Sequence, residues 1–323
     1  MESGRALLDI ASYARRGPAD RVHLTQEEIQ LLSRTVRRTP EVMVKVLARG
    51  GHDRNAVGRH LGYLSRDGKV EIETDDGRHL RGEGVEQELL EDWDLDLEEA
   101  RRTRTLTSRP GMAQPKLVHK VVFSMPAGTP ADGLFRGAQA FARETLGAKH
   151  RYAMVLHTDQ PHPHVHMVIK AVSEDGVRLN IRKATLREWR REFARQLRAQ
   201  GVSANATDKA VRGATRPNLS DRIYRAMQRG AYRRIWEQSG ALSGEARTAS
   251  EASSRDSLLH TRNEVERGWM AAAEILDRQG QPDLPWHVRR FTKTLPPVRT
   301  NRELLRKELR AKEHRPGQQE LIR

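Results

Sequence analysis

The sequence predicts an α+β fold, and three observations carry that prediction. At least three runs are β-rich, Glu41–Leu47, Leu117–Ser124 and Tyr152–Leu156. Two strong helical patterns, over about 131–146 and 185–200, interrupt them. Finally, a strand junction crowds four of the thirteen histidines into ten residues, His157-Thr-Asp159-Gln-Pro-His162-Pro-His164-Val-His166, followed by the apolar run Met167–Ile169.

Composition bounds what such a chain does. At 323 residues it can hold one sizeable domain with an appendage, or two domains. The division expected is a helical N-terminal extension over 1–40, a central domain over 41–215, and a basic, largely helical C-terminal extension over 216–323. No run of about eighteen apolar residues occurs, so no membrane span is expected. The start, Met-Glu-Ser-Gly-Arg, lacks a secretory pattern. With no cysteine, disulfides, thiolate chemistry and Cys-bound zinc are excluded, and the expected compartment is the cytoplasm. A net charge of +15 points to a polyanionic partner. That charge is uneven: 83–99 holds nine acidic residues, whereas 182–234 holds fifteen Lys/Arg against four Asp/Glu. Such a basic region can neutralise many phosphates, with binding that weakens steeply in salt.

In chain order, Thr25-Gln-Glu-Glu28 has capping-box spacing, and Ile29, Leu31, Leu32 and Val36 continue it at helical intervals. After the β-rich run at 41–47, Asp53 is a good N-cap for a helix burying Val57, Leu61 and Leu64. Tyr63 lies near that helix's end, within Tyr63-Leu-Ser-Arg66-Asp-Gly-Lys69. A helical tyrosine is commonly a packing residue, and a tyrosine hydroxyl can also act as a nucleophile; spacing alone does not separate the two. Val70–Thr74 alternates like a half-buried strand, and 85–100 reads as an acidic helix with Leu89, Leu90, Trp93 and Leu97 on one side. Residues 101–115 read as a polar loop. After the strand at 117–124, Met125–Thr129 reads as a turn leading into the first strong helix. Ser124 and Thr129 are candidate phosphate contacts near that helix N-terminus, although capping and turn formation explain both as well. Val177–Ile181 is a further expected strand.

The second strong helix has the apolar stripe Leu186, Trp189, Phe193 and Leu197. Arg187, Arg190, Arg191, Arg195 and Arg198 fill the rest of its surface and are candidate DNA phosphate contacts, with a merely solvated face the competing reading. Further on, Tyr224, Tyr232 and Trp236 alternate with arginines, compatible with stacking on bases or with helix packing. Residues 237–256 read as a linker, and 262–278 as a helix. A Pro-containing stretch over 281–297 and a charged terminal helix with a polar tail follow.

The histidine segment carries the chemistry. In a strand, side chains two apart share a face, so His164 and His166 converge while Val165 turns away. His157 is the natural third ligand from the preceding strand, and Asp159 and His162 lie on the loop between. Three imidazoles leave positions open on a metal, as in catalytic sites. The competing reading is an adventitious histidine cluster.

Taken in order, Tyr63-Leu-Ser-Arg-Asp-Gly-Lys69, Phe123-Ser-Met-Pro-Ala-Gly-Thr129 and the histidine segment resemble the relaxases, in particular those of mobilisation and T-DNA border nicking. His164-Val165-His166 fits the name of the His-hydrophobe-His (HUH) endonucleases. The likeness runs from about 42 to 213. It implies an antiparallel sheet with helices packed on one face and the metal cluster on the other, flanked by helical N- and C-terminal extensions. It further implies that Tyr63 attacks a scissile phosphodiester, leaving a 3′-hydroxyl and a 5′-phosphotyrosine. His157, His164 and His166 would hold Mg²⁺ or Mn²⁺, with His162 a possible ligand or pocket residue. Asp159 would orient a histidine or help take the tyrosine proton. The implied partners are single-stranded DNA at a transfer origin, accessory DNA-processing proteins and a transfer coupling protein, in the bacterial cytoplasm. Alternatives are a rolling-circle replication nickase, which the order of tyrosine before histidines disfavours, and a non-catalytic basic DNA-binding accessory protein. A zinc hydrolase of small substrates is a third, against which the basic charge argues.

Overall fold

The computed structural model describes residues 10, 23–47, 51–108, 115–147, 149–213, 249–300, 303–304 and 307. Its elements run α1 (Gln26–Val36), β1 (Met43–Leu47), α2 (Arg54–Ser65), β2 (Ile72–Thr74), β3 (His79–Leu80), α3 (Val85–Asp92) and α4 (Leu95–Ser108). There follow β4 (Val118–Ser124), α5 (Ala131–Thr145), β5 (Tyr152–His157), β6 (His164–Lys170), α6 (Lys183–Ala199), α7 (Ala249–Arg278) and α8 (Leu284–Lys293). Two compact units result: Thr39–Ala206, and Met1–Arg38 with Thr207–Arg323.

The unit Thr39–Ala206 is built on a six-stranded antiparallel sheet of order β1-β4-β6-β5-β2-β3. Opposed residues on neighbouring strands share a face. One rung, Phe123–Val165–Leu156, therefore looks one way, and the next, Ser124–His164–His157, looks the other. On the first face α5 and α6 close an aromatic core in which Phe123 packs against Phe141 at 4.8 Å and Phe193 at 5.0 Å between ring centroids. Gly137 permits this approach, because a Cβ there would stand 2.6 Å from Leu197 Cδ2. The α+β class is thus observed, but the expected packing of helices on one face only is corrected, because the other face carries helices of its own. Val57, Leu61 and Leu64 of α2 and Leu89 and Leu90 of α3 pack with Val118, Ala153, Val155 and Val168. Asp53 caps α2 as expected, accepting from the Ala56 amide at 2.7 Å.

Several local expectations need correction. Residues 85–100 form two helices, because the chain turns at Trp93–Asp94, where Asp94 has a left-handed φ of 50°. Leu97 is exposed on the second helix, while Leu89, Leu90 and Trp93 are buried. That helix runs on to Ser108, through much of the expected 101–115 loop: charged and threonine side chains are no bar to helix once the apolar start is anchored. Val177–Ile181 is not a strand; it makes one isolated bridge, Arg178 with Val172, as the chain rounds a turn closed by the Ser173 and Gly176 amides. The expected linker at 237–256 gives way to α7 from Ala249, since Ser, Ala and Glu are compatible with helix when the chain beyond packs. The Pro-containing stretch holds α8, with Pro285 in its first turn, where no amide donor is needed.

The other unit has one core shared by both ends of the chain. Leu24, Ile29 and Leu32 pack with Val265, Trp269, Ile275 and Leu276 of α7 and with Val288 and Phe291 of α8. The Gln279 side chain exchanges two 3.0 Å hydrogen bonds with the Leu24 backbone. Thr25 and Glu28 form the expected capping box. Segments read separately from sequence, 1–40 and 216–323, thus contribute to one core. Tyr224, Tyr232 and Trp236 lie outside the described residues, as does most of the terminal helix and tail. Among the described residues no helix is long and apolar enough to cross a membrane.

Candidate metal centre and nucleophile

His157 closes β5, and His164 and His166 open β6. Antiparallel pairing sets His157 directly opposite His164, and the two-residue period brings His166 to the same face. One nitrogen from each ring lies within 4.8 Å of the others. The ring centroids stand 4.9 to 5.3 Å apart.

Hydrogen bonds to the outer nitrogens orient two of the rings. His157 Nε2 donates to the Leu64 carbonyl at 2.8 Å, which leaves Nδ1 bare. His164 Nδ1 donates to the His162 carbonyl at 3.1 Å, which leaves Nε2 bare. Among the described residues His166 has no hydrogen-bond partner, and its ring is set by contact with His157, His164 and His60. Burial pushes His157 below the usual imidazole range, against the opposing effect of its bond to Leu64. His166 is pushed down to about 3, by burial first and then by its histidine neighbours. Both are therefore neutral near pH 7, with lone pairs ready for a cation. Neutral donors, bare nitrogens and backbone-fixed tautomers fit a divalent metal ion. The side chain of His162 is exposed and outside this group; its backbone carbonyl is what takes part.

The tyrosine motif is tied to this cluster by the same Leu64 carbonyl. Leu64 follows Tyr63 in α2, and its side chain is buried in the core beneath. Ser65, fully buried, donates to the Gly62 carbonyl and accepts from the Gly68 amide. Arg66, Asp67 and Gly68 are all left-handed, with φ of 54°, 53° and 78°. Only glycine serves at 68, because a Cβ would come 1.8 Å from the Gly82 carbonyl oxygen. This tight end of α2 sends the Arg66 side chain back, so that its guanidinium lies 5.5 Å from the centre of the Tyr63 ring. Arg66 also pairs with Asp159 at 2.5 Å. Asp159 therefore meets Tyr63 through an arginine, and its negative charge weakly opposes the lowering of His157. The Tyr63 ring is 60% exposed, accessible to a large substrate.

Sequence reading missed His60. It precedes Tyr63 by three residues, so the two share a helix face. Its ring stacks on Tyr63 at 6.5 Å and meets His166 edge-on at 6.4 Å. Burial, then the nearby Lys120 charge, pushes His60 down to about 4. Its Nε2 is buried and, among the described residues, has no hydrogen-bond partner. The i, i+3 spacing from Tyr63 was the available signal.

Of the other sequence candidates, Ser124 opposes His164 in register and is buried on the histidine face. The Thr129 hydroxyl donates to the Pro126 carbonyl, which closes the turn. The arginines of α6 are not brought to the cluster, because Trp189, Phe193 and Leu197 dock that helix on the opposite sheet face. Of the α6 arginines, Arg195 bridges Glu144 of α5 and Glu192 of its own helix, Arg198 donates to the Ala204 carbonyl just beyond the helix end, and Arg190 donates to the Leu186 carbonyl.

Residues 63–202 match the family described as relaxase, MobA/VirD2-like, nuclease domain. The chain is 24% identical over 203 residues to the T-DNA border endonuclease VirD2 of Rhizobium radiobacter, covering 58% of this chain and 47% of that protein. It is 25% identical over 211 residues to VirD2 of Agrobacterium fabrum, covering 60% and 46%. For VirD2 of Rhizobium rhizogenes the figures are 24% over 219 residues, 59% and 46%. The match spans less than half the length of each of these relatives.

Proposed function

From a chain whose residues 63–202 match the relaxase family of MobA/VirD2-like nuclease domains, we propose a site- and strand-specific DNA nickase that starts plasmid or integrative-element transfer. The observation that carries this reading is the Leu64 carbonyl bond to His157, which couples the tyrosine helix to the imidazole cluster. Single-stranded DNA at a transfer origin is the substrate, worked on with accessory DNA-processing proteins and a coupling protein.

In the reaction, the Tyr63 phenol oxygen attacks the scissile phosphorus and loses its proton. The bond from phosphorus to the 3′-oxygen breaks, and that oxygen leaves as a hydroxyl after taking up a proton. The phosphodiester is exchanged for a phosphotyrosine, so its bond energy is kept for rejoining. Positioning and charge stabilisation carry most of such a transfer. His157 through Nδ1, His164 through Nε2, and His166 would hold a divalent ion, which when bound supplies Lewis-acid charge to the phosphate oxygens. Of Mg²⁺ and Mn²⁺, the transition ion suits three imidazoles better. Arg66 holds the Tyr63 ring, and Asp159 acts by fixing Arg66. Ser124 stands beside His164 as a phosphate contact.

The test is to incubate the chain with Mn²⁺ or Mg²⁺ and labelled single-stranded candidate origins, then map any attached oligonucleotide. Attachment at Tyr63, lost in Tyr63→Phe with DNA binding retained, is expected. DNA binding with no nicking by the unaltered chain on any origin or supercoiled plasmid would leave only the accessory-protein reading.

A further inference from the structure

Beside Tyr63, an open groove of about 890 Å³ runs between α2 and α3. No histidine lines it, so it is separate from the imidazole cluster, and Tyr63 borders it. Its volume is in the range that takes a drug-sized ligand, so it has room for at least a nucleotide. Gly58 and Gly62 keep the wall formed by α2 low; at Gly58 a Cβ would already stand 3.0 Å from Leu90 of α3. Four cations border the groove, Arg54, Arg59, Arg66 and Lys69. Arg54 is paired with Asp96 at 2.7 Å, and Arg66 with Asp159. Arg59 and Lys69 are exposed and, among the described residues, have no ion-pair partner. Asp67 and Glu86 also border the groove, so phosphate binding there falls to those two free cations.

Stereochemistry then assigns the strand. Attacking and leaving oxygens stand roughly in line on opposite faces of the phosphorus. With Tyr63 as nucleophile, the leaving 3′-oxygen and the DNA behind it point away from the phenol. The segment 3′ of the nick keeps the phosphate through its 5′-oxygen, which is equatorial and so is not directed away from the phenol, and it is the segment that becomes bonded to Tyr63. We propose that the groove between α2 and α3 is the channel for that segment, with Arg59 and Lys69 contacting its phosphates. This assignment rests on the nickase reading. It gives the groove a purpose after cleavage as well, since it holds the attached end in place for rejoining.

The experiment uses the full chain with Mn²⁺ and single-stranded oligonucleotides spanning a nick position mapped on plasmid DNA, the 3′ flank shortened from about ten to about two nucleotides. Covalent capture is measured against protein concentration. For the unaltered chain, shortening the 3′ flank is expected to raise the half-saturating concentration about tenfold through lost phosphate contacts. Arg59→Glu with Lys69→Glu should start at that weakened value, ignore 3′ length, and keep the same capture at saturation. Shortening the 5′ flank should affect both proteins equally. The milder pair Arg59→Gln with Lys69→Gln should also lose the dependence on 3′ length, which preserves the test if the Glu pair folds poorly. A variant that still responds to the 3′ flank like the unaltered chain, or whose defect follows the 5′ flank, overturns the assignment while leaving the nickase reading intact. No capture at all by the unaltered chain sinks both.

Discussion

The two faces of one sheet differ in what closes them. On the α5/α6 face, Phe123, Phe141, Phe193 and Trp189 join Val165 and Met167 in one buried cluster. On the α2/α3 face the same strands are apolar only part of the way, through Val118, Val155 and Val168. At the strand ends the rung His157–His164 and then His166 replace aliphatic side chains. One strand, β6, serves both faces through alternate residues: Val165 and Met167 stabilise, while His164 and His166 are available for chemistry. Stability and function are thus separable by a single step in register.

That separation can be broken in graded ways. The largest expected effect is on the imidazole face, where His164→Ala or His166→Ala should abolish metal-dependent nicking of supercoiled plasmid. Urea unfolding in a chelator should change little beside that loss. On the aromatic face the outcome should be reversed: Phe193→Ala should cost about 3–5 kcal/mol in urea unfolding, while metal binding by the surviving folded protein is kept. Gly137→Ala should cost about 1–3 kcal/mol by overpacking, because Leu197, whose atoms the new methyl meets, is fully buried.

Acid sharpens the comparison. His119 belongs to the aromatic face, donates to the Leu179 carbonyl at 3.1 Å, and is pushed down to about 4, chiefly by burial. An unfolded histidine titrates near 6.5. Between those values the unfolded chain binds a proton that the folded chain refuses, so stability is full above the window and falls as pH drops through it. His119→Gln should flatten that fall when urea midpoints are compared from pH 7 downward in a chelator; an unchanged slope would remove His119 from the account. The smallest effect is expected at Gly62, where an added Cβ meets nothing closer than 3.7 Å. Gly62→Ala should raise stability by about 0.5–1 kcal/mol, because a helical alanine restricts the unfolded chain at no steric cost.

Residues whose roles are local were legible without coordinates. The two-residue period of β6 announced that His164 and His166 converge, and the capping signals at Thr25 and Asp53 were read correctly. The stop of α3 after Asp92 was not legible, because the left-handed Asp94 makes a turn that the packing of Trp93 and Leu95 permits. Nor was the position of the α6 arginines: charge and helical spacing place them on a solvent side, but which sheet face that helix covers depends on distant Phe123 and Phe141.

By itself the sequence determined the α+β class, the converging pair His164 and His166, and the tyrosine motif, since each is written in spacings of a few residues that the backbone period turns into shared direction. Only the tertiary structure decided that His157 and not the His162 side chain joins the cluster, that His60 stands between Tyr63 and His166, and that Asp159 is held by Arg66. Those relations join segments far apart in the chain. Long-range packing and antiparallel register set them, and no local periodicity records either.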